Sequence, residues 1–216
     1  MATELAPGVW MWRREHPEWT PDSDYEPEVA CYAVRLPSAR LLIDPLWADD
    51  DADEDWIDDF ARGGRVLAAV LKPDHLRDAA EIAHAYGGRV VTNAAAAALL
   101  DPSATVSVLA AGEDLADGAR FLDDGRGRGE TPLWLPTARA VAFADAVRGD
   151  PEAGGLRVWS YPAGHDLVTR DALSTIAQLE PELVLVGHGE PVTHDGAAAL
   201  REALDRPPWY GPGPST

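Results

Sequence analysis

The chain is poor in several residue types: it has one cysteine (Cys31), one lysine (Lys72), two methionines and three phenylalanines in 216 residues. A single cysteine excludes a disulfide framework within the chain. Its apolar neighbours in the run 30–34 mark it as a small buried hydrophobe. No stretch approaches the roughly 18 apolar residues that a membrane-spanning helix needs. The first ten residues lack the basic region and apolar segment of a secretion signal, so a cytoplasmic protein is expected. Positive charge is also scarce, with 18 Lys plus Arg against 37 Asp plus Glu and a net charge of −19. Such a surface repels phosphate backbones and anionic lipid, which leaves no nucleic acid and no membrane among the expected partners.

The chain does have a hydrophobic content of 46%, enough for one sizeable core. We expect a single domain over residues 1–206 and a Pro/Gly-rich tail over 207–216, packed down by Trp209. Short β-rich runs recur at 8–12, 30–36, 40–46, 66–71, 89–92, 105–109, 131–135, 140–144, 156–161 and 182–186. Helical patterns fall at 53–61, 76–86, 94–100, 169–179 and 193–204. So many strands exceed one small sheet, and the helices cluster in mid-chain and near the end. These features imply an α/β protein, a four-layer αββα sandwich of two mixed β-sheets flanked by helices.

Three loops that follow apolar strands carry ionisable groups, where an α/β sheet presents its binding residues. The first holds Lys72, Asp74 and His75. Its plain reading is that Asp74 caps a helix and His75 is a first-turn surface residue. The second ends a strand on Asp145, which alone reads as a turn residue. The third is Gly187-His188-Gly189, in which small residues let a ring project from an abrupt turn. Other histidines carry less: His165 is an ordinary loop residue that has the option of lining the same cleft, and His16, His84 and His194 are given structural or surface roles. Trp10, Trp12, Trp19 and Tyr32 read as packing, and Trp47 is the aromatic expected nearest the pocket mouth.

Taken in order, the run Leu41 to Pro45, the Asp74-His75 pair, the stretch 129–136, Asp145 and the 186–191 turn resemble the landmarks of the metallo-β-lactamase superfamily from residue 8 to about 204. The resemblance implies the αββα sandwich and one or two metal ions, usually zinc, that activate water for hydrolysis. The family's first motif is Thr-His-x-His-x-Asp-His. Aligned on its closing Asp-His, Val70 and Lys72 stand at the two earlier histidine positions, and Arg126 stands where a third histidine falls. The first metal's histidines are thereby replaced. The second metal's set, Asp74, His75, Asp145 and His188, is retained, and Asp44 resembles the family's buried acid that orients a ligand.

Three readings follow. In the first, one divalent ion, zinc or alternatively iron or manganese, sits on Asp74, His75, Asp145 and His188, and Asp74, Lys72 and Arg126 serve hydrolysis of a small ester, lactone or thioester. In the second, the protein holds no metal and binds a small anion through Lys72 and Arg126. In the third, a desolvated Lys72 with a lowered pKa acts as base or nucleophile. In every case Lys72 is expected within salt-bridge reach of Asp74 or Asp145, because two carboxylates facing one cleft need a cation between them.

Overall fold

The computed structural model describes residues 2–23, 25–47, 51–160 and 164–209, with the backbone alone for 51–54. A seven-stranded sheet runs in chain order through β1 (Thr3–Ala6), β2 (Val9–Glu15), β3 (Glu28–Arg35), β4 (Arg40–Ile43), β5 (Val66–Val70), β6 (Arg89–Thr92) and β7 (Val106–Val108). Its first four strands are antiparallel, and from β4 onward each neighbour is parallel. Parallel neighbours need crossovers, which α1 (Asp51–Arg62), α2 (Ala79–Ala85) and α3 (Ala94–Ala97) supply.

The second sheet begins as an antiparallel meander of β8 (Asp114–Ala116), β9 (Ala119–Phe121), β10 (Leu133–Leu135) and β11 (Ala140–Phe143). A separate ribbon of β12 (Val147–Gly149) and β13 (Leu156–Val158) follows directly. After α4 (Asp166–Ala177) the chain returns as β14 (Leu183–Val186), parallel to β11, and closes with α5 (Gly196–Asp205).

Burial assigns the layers. On β5 every residue is buried, because Leu67 and Ala69 face the second sheet while Ala68 and Val70 face α2 and α3. On β11 Ala140 and Ala142 join the core between the sheets, and Val141 and Phe143 pack with residues of α4 and α5. Trp12, Ile57 and Phe60 close the opposite face under α1. The result is the four-layer αββα sandwich, with a two-stranded ribbon beyond the two expected sheets.

Several boundaries differ from the sequence reading, each for a local reason. The expected helix 76–86 is a 3-10 turn at Pro73–His75 followed by the shorter α2, because Arg77 takes a left-handed backbone with φ 43°. The pattern at 193–204 starts only at Gly196, since Asp195 is left-handed at φ 53°. The pattern at 94–100 regularises only over Ala94–Ala97, capped by the Asn93 side chain accepting from the Ala96 N–H. The helix expected at 169–179 begins at Asp166. Strands β1, β8, β9 and β12 were not expected, being three or four residues long and so too short to show a period of two. Of the expected strand 156–161 and tail 207–216, residues 161 and 210–216 lie outside the described residues. No helix among the described residues is long and apolar enough to cross a membrane.

The sheets are joined at one end by hydrogen bonds as well as by packing. The buried Tyr32 hydroxyl on β3 donates to the Val186 carbonyl at 2.7 Å and accepts the Val186 N–H at 3.0 Å. The Ala30 N–H donates to the Gly187 carbonyl at 2.9 Å. Tyr32→Phe leaves both backbone groups of Val186 buried without that partner, so urea unfolding is expected to report a loss of about 1–3 kcal/mol.

Candidate metal centre

Asp44, Asp145 and His188 each lie one or two residues past a strand end, after β4, β11 and β14 respectively, and Lys72 and His75 lie in the turn past a fourth, β5. They therefore gather on one rim of the sandwich, outside the carboxyl ends of the parallel strands. Asp44 is left-handed at φ 44° and 3% exposed. Its Oδ1 accepts the Leu71 N–H at 2.9 Å and its Oδ2 meets His75 Nδ1 at 2.9 Å, which turns His75 Nε2 toward Asp145. Asp44 thus orients a histidine without facing the cleft.

His188 stands between two glycines for steric reasons. A Cβ on residue 187 would lie 2.6 Å from the Ala144 carbonyl oxygen. One on residue 189, left-handed at φ 74°, would lie 2.6 Å from that of Gly149. These approaches bring the imidazole over the end of β11. His75 Nε2 and His188 Nε2 lie 3.3 and 3.4 Å from the same oxygen, Asp145 Oδ1. One ligand atom from each of the three residues falls within 4.8 Å of the others.

The other oxygen of Asp145 is engaged elsewhere: Oδ2 accepts from Lys72 Nζ, which also bonds Asp74 Oδ2 at 2.5 Å. Lys72 is thus the cation between the two carboxylates. Burial alone would lower its pKa, but Asp145 and Asp74 raise it above the ordinary lysine value, which disfavours the reading of Lys72 as a low-pKa base or nucleophile. The Asp74 carboxylate is 64% exposed and stands apart from the other three expected ligands, on the far side of Lys72.

Burial alone would raise the Asp145 pKa, yet the facing His75, His188 and Lys72 hold it well below the usual carboxylate range. Burial likewise works to lower that of His75, and the Asp145 and Asp44 carboxylates outweigh it and lift the value to about 9. For His188 burial prevails and the value falls, leaving a neutral ring whose Nδ1 is buried without a hydrogen-bond partner.

A side chain with no role in the sequence reading holds Asp145 in place. Glu130, fully buried, accepts the Ala144 N–H at 3.0 Å through Oε1 and the N–H groups of Asp145 and Ala146 at 3.1 and 2.9 Å through Oε2. Burial first, then the Asp124 and Asp145 carboxylates, push its pKa up to about 8. Arg126 lies in the same wall, 2% exposed, with Nη1 3.5 Å from Glu130 and its backbone N–H donating to Asp124 Oδ1 at 2.9 Å. The Arg126 guanidinium is therefore foremost a counter-ion for Glu130.

A cleft of about 400 Å³ opens over these groups. Tyr25 and Trp159 present ring edges to His188 at centroid distances of 5.2 and 5.3 Å. Arg77, Arg126 and the exposed Arg128 add positive charge to its wall. His16 lines the cleft too, where a structural or surface role was expected, and His165 does not. Trp47 packs on Tyr86 at 6.0 Å, in a different pocket, so the aromatics of the mouth are Tyr25 and Trp159. Nothing in the local sequence marks Tyr25, whose run Asp24-Tyr25-Glu26 reads as a loop.

Two layers of mixed sheet with histidine and carboxylate donors at their strand ends define a metallohydrolase-type scaffold. The chain belongs to the metallo-β-lactamase superfamily, whose family model matches residues 11–206. Among solved structures it is similar to VMB-1 at pH 5.5, with 14% identity over 95% of this chain and 94% of that one and a TM-score of 0.68. It is also similar to FIM-1 from Pseudomonas aeruginosa in its mono-zinc form, with 15% identity over 95% and 94% and a TM-score of 0.66. A metallo-β-lactamase from Erythrobacter litoralis with β-mercaptoethanol in the active site has 14% identity over 94% of each chain and a TM-score of 0.66. At such identities the likeness is one of fold. No curated protein matches the chain.

The donor set fits a divalent ion. Metal–ligand bonds of about 2.0–2.2 Å in a tetrahedron place ligand atoms about 3.4 Å apart, close to the 3.3 and 3.4 Å found here. Asp145 Oδ1 is buried without a hydrogen-bond partner, as an acceptor kept for another ligand would be.

Metal-free protein should show the His75 imidazolium in its stability. Its folded value of about 9 lies above the ordinary 6.5, so its contribution is whole below pH 6.5 and disappears as pH rises through about 9. Urea unfolding between pH 6 and pH 9.5 should therefore report falling stability, with a shallower fall in His75→Gln. Equal slopes for the two proteins would show that His75 is neutral.

Proposed function

We propose that this chain is a mononuclear metal-dependent hydrolase, with zinc as the favoured ion, held by His75 Nε2, Asp145 Oδ1 and His188 Nε2. The observation that carries the reading is the convergence of two imidazole nitrogens on one carboxylate oxygen that accepts no other hydrogen bond among the described residues. When bound, such an ion supplies Lewis-acid charge that brings the pKa of a water down to about 7. The protein's own groups do the rest. The Asp44 carboxylate on Nδ1 directs His75 Nε2 toward the place a ligand would take. Lys72 holds the second oxygen of Asp145 and supplies positive charge beside the reacting carbonyl oxygen. Tyr25 and Trp159 shield His188 from water, and Arg128 at the rim favours a substrate carrying negative charge. A small ester, lactone or thioester fits a cleft of about 400 Å³. Under the same proposal residues 1–206 form one cytoplasmic domain.

One observation favours a second reading, a metal-free binder of a small anion. Lys72 and a protonated His75 already neutralise Asp145, so the site is electrostatically complete without an ion. In that reading Lys72, Arg126 and Arg128 clamp the ligand.

Zinc titration of metal-free protein followed by calorimetry separates them. We expect about one equivalent bound per chain and loss of that binding in Asp145→Asn, which keeps shape but lacks the anionic donor. No zinc uptake, with manganese and iron also excluded, would favour the anion binder. Two equivalents would show that Lys72 does not occupy the place of a second ion.

A further inference from the structure

The two histidines are fixed by different means. His75 has the usual support of a metal-ligating imidazole, a carboxylate on its Nδ1. His188 has none: its Nδ1 is buried without a partner, and the glycines on either side add no side-chain contacts of their own. Apart from the 3.4 Å contact of its Nε2 with Asp145 Oδ1, its ring orientation is left to packing.

We propose that Trp209, in the segment after α5, is a positioning residue for His188 and acts through Trp159. The inference rests on reading His188 as a ligand. Trp209 is 7% exposed and pairs with Trp159 as a bridge outside the regular strands, its N–H donating to the Val158 carbonyl at 2.8 Å. The two indoles meet edge to face at 5.2 Å and 83°. Trp159 in turn meets His188 edge to face at 5.3 Å and 84°. The stack is locked by Arg148, whose side chain is fully buried and whose guanidinium lies 3.7 Å from the Trp209 centroid and 5.0 Å from that of Trp159. Desolvated cation–π contacts of this kind hold rings in one arrangement.

Arg148 also pairs with Glu26, next to Tyr25, the other ring against His188. Both aromatic walls of the histidine thus lead back to one arginine, which lies three residues beyond Asp145. The Trp159 N–H donates to the Ala146 carbonyl at 3.1 Å, which ties the stack to the loop that presents that carboxylate. Removing Trp209 leaves Trp159 free to turn into the vacated space and lets the His188 ring follow.

The test compares Trp209→Ala, Trp209→Leu and Trp209→Phe with the wild type in two assays. In metal-free protein, the His188 ring-proton resonances carry a ring-current shift from Trp159. They should move in Trp209→Ala, return toward their wild-type positions in Trp209→Phe, and leave those of His75 unchanged. In cobalt-loaded protein, Trp209→Ala should weaken cobalt affinity about 10-fold, the scale found when support outside the ligand set is lost, and should change the visible d–d band, with Trp209→Phe restoring both. Far-UV circular dichroism and thermal unfolding establish that each variant is folded. If Trp209→Ala does not fold, Trp209→Leu, which keeps bulk without a ring, takes its place. Unmoved His188 resonances in a folded variant overturn the inference, and so does unchanged cobalt binding. A wild type that binds no cobalt defeats the metal reading alone, because the resonance assay still decides whether Trp209 positions the ring.

Discussion

The charge of Asp145 is the constraint to which the rest of the site answers. A carboxylate this enclosed costs several kcal/mol unless it is paired and hydrogen-bonded. No single element supplies the partners: Lys72 and His75 come from the turn after β5, His188 from the turn after β14, and the N–H anchors of its own loop point to Glu130 before β10. The carboxylate is satisfied only when both sheets are in place with their ends together. The Tyr32 hydroxyl, bonded to both backbone groups of Val186 two residues before His188, is the direct link between sheet packing and site geometry.

The division of labour among the charges follows from burial. Glu130 and Arg126, both nearly inaccessible, act on the shape of the Asp145 loop. Lys72, at the base of the cleft with 11% of its side chain exposed, acts on the charge a ligand would meet. Lys72, Arg77, Arg126 and Arg128 thus offset Glu18, Asp74 and Asp145 in the cleft wall, in a chain whose net charge is −19. An ammonium that bridges two acids is held by charge and needs no particular planar geometry, which suits a compact group here better than a guanidinium.

Much of the architecture was legible in the sequence, and the reasons are local. The strands buried on both faces, such as Val66–Val70 and Leu183–Val186, show as apolar runs bounded by turn residues, and the Gly187-His188-Gly189 signal reflects two backbone approaches that exclude a Cβ. Positions of His75, Asp145 and His188 at strand ends were readable for the same reason. Glu130 was not, because three backbone donors leave no pattern in side-chain spacing. Tyr25 and Trp159 reach the cleft only through tertiary packing, and Trp47 was placed there by its closeness in sequence to Asp44. The helix expected from residue 76 failed at Arg77, whose left-handed backbone is held by its guanidinium bonding the Ala30 and Asp44 carbonyls at 3.1 and 2.7 Å.

In the proposed site one ion and one ammonium share Asp145, each on its own oxygen. Anomalous diffraction from zinc-soaked crystals tests it directly. A single strong peak per chain is expected within bonding distance of His75 Nε2, Asp145 Oδ1 and His188 Nε2, with Lys72 still bonded to Asp145 Oδ2. Two peaks in the cleft, or one peak between Asp74 and Asp145 with Lys72 displaced, would contradict it.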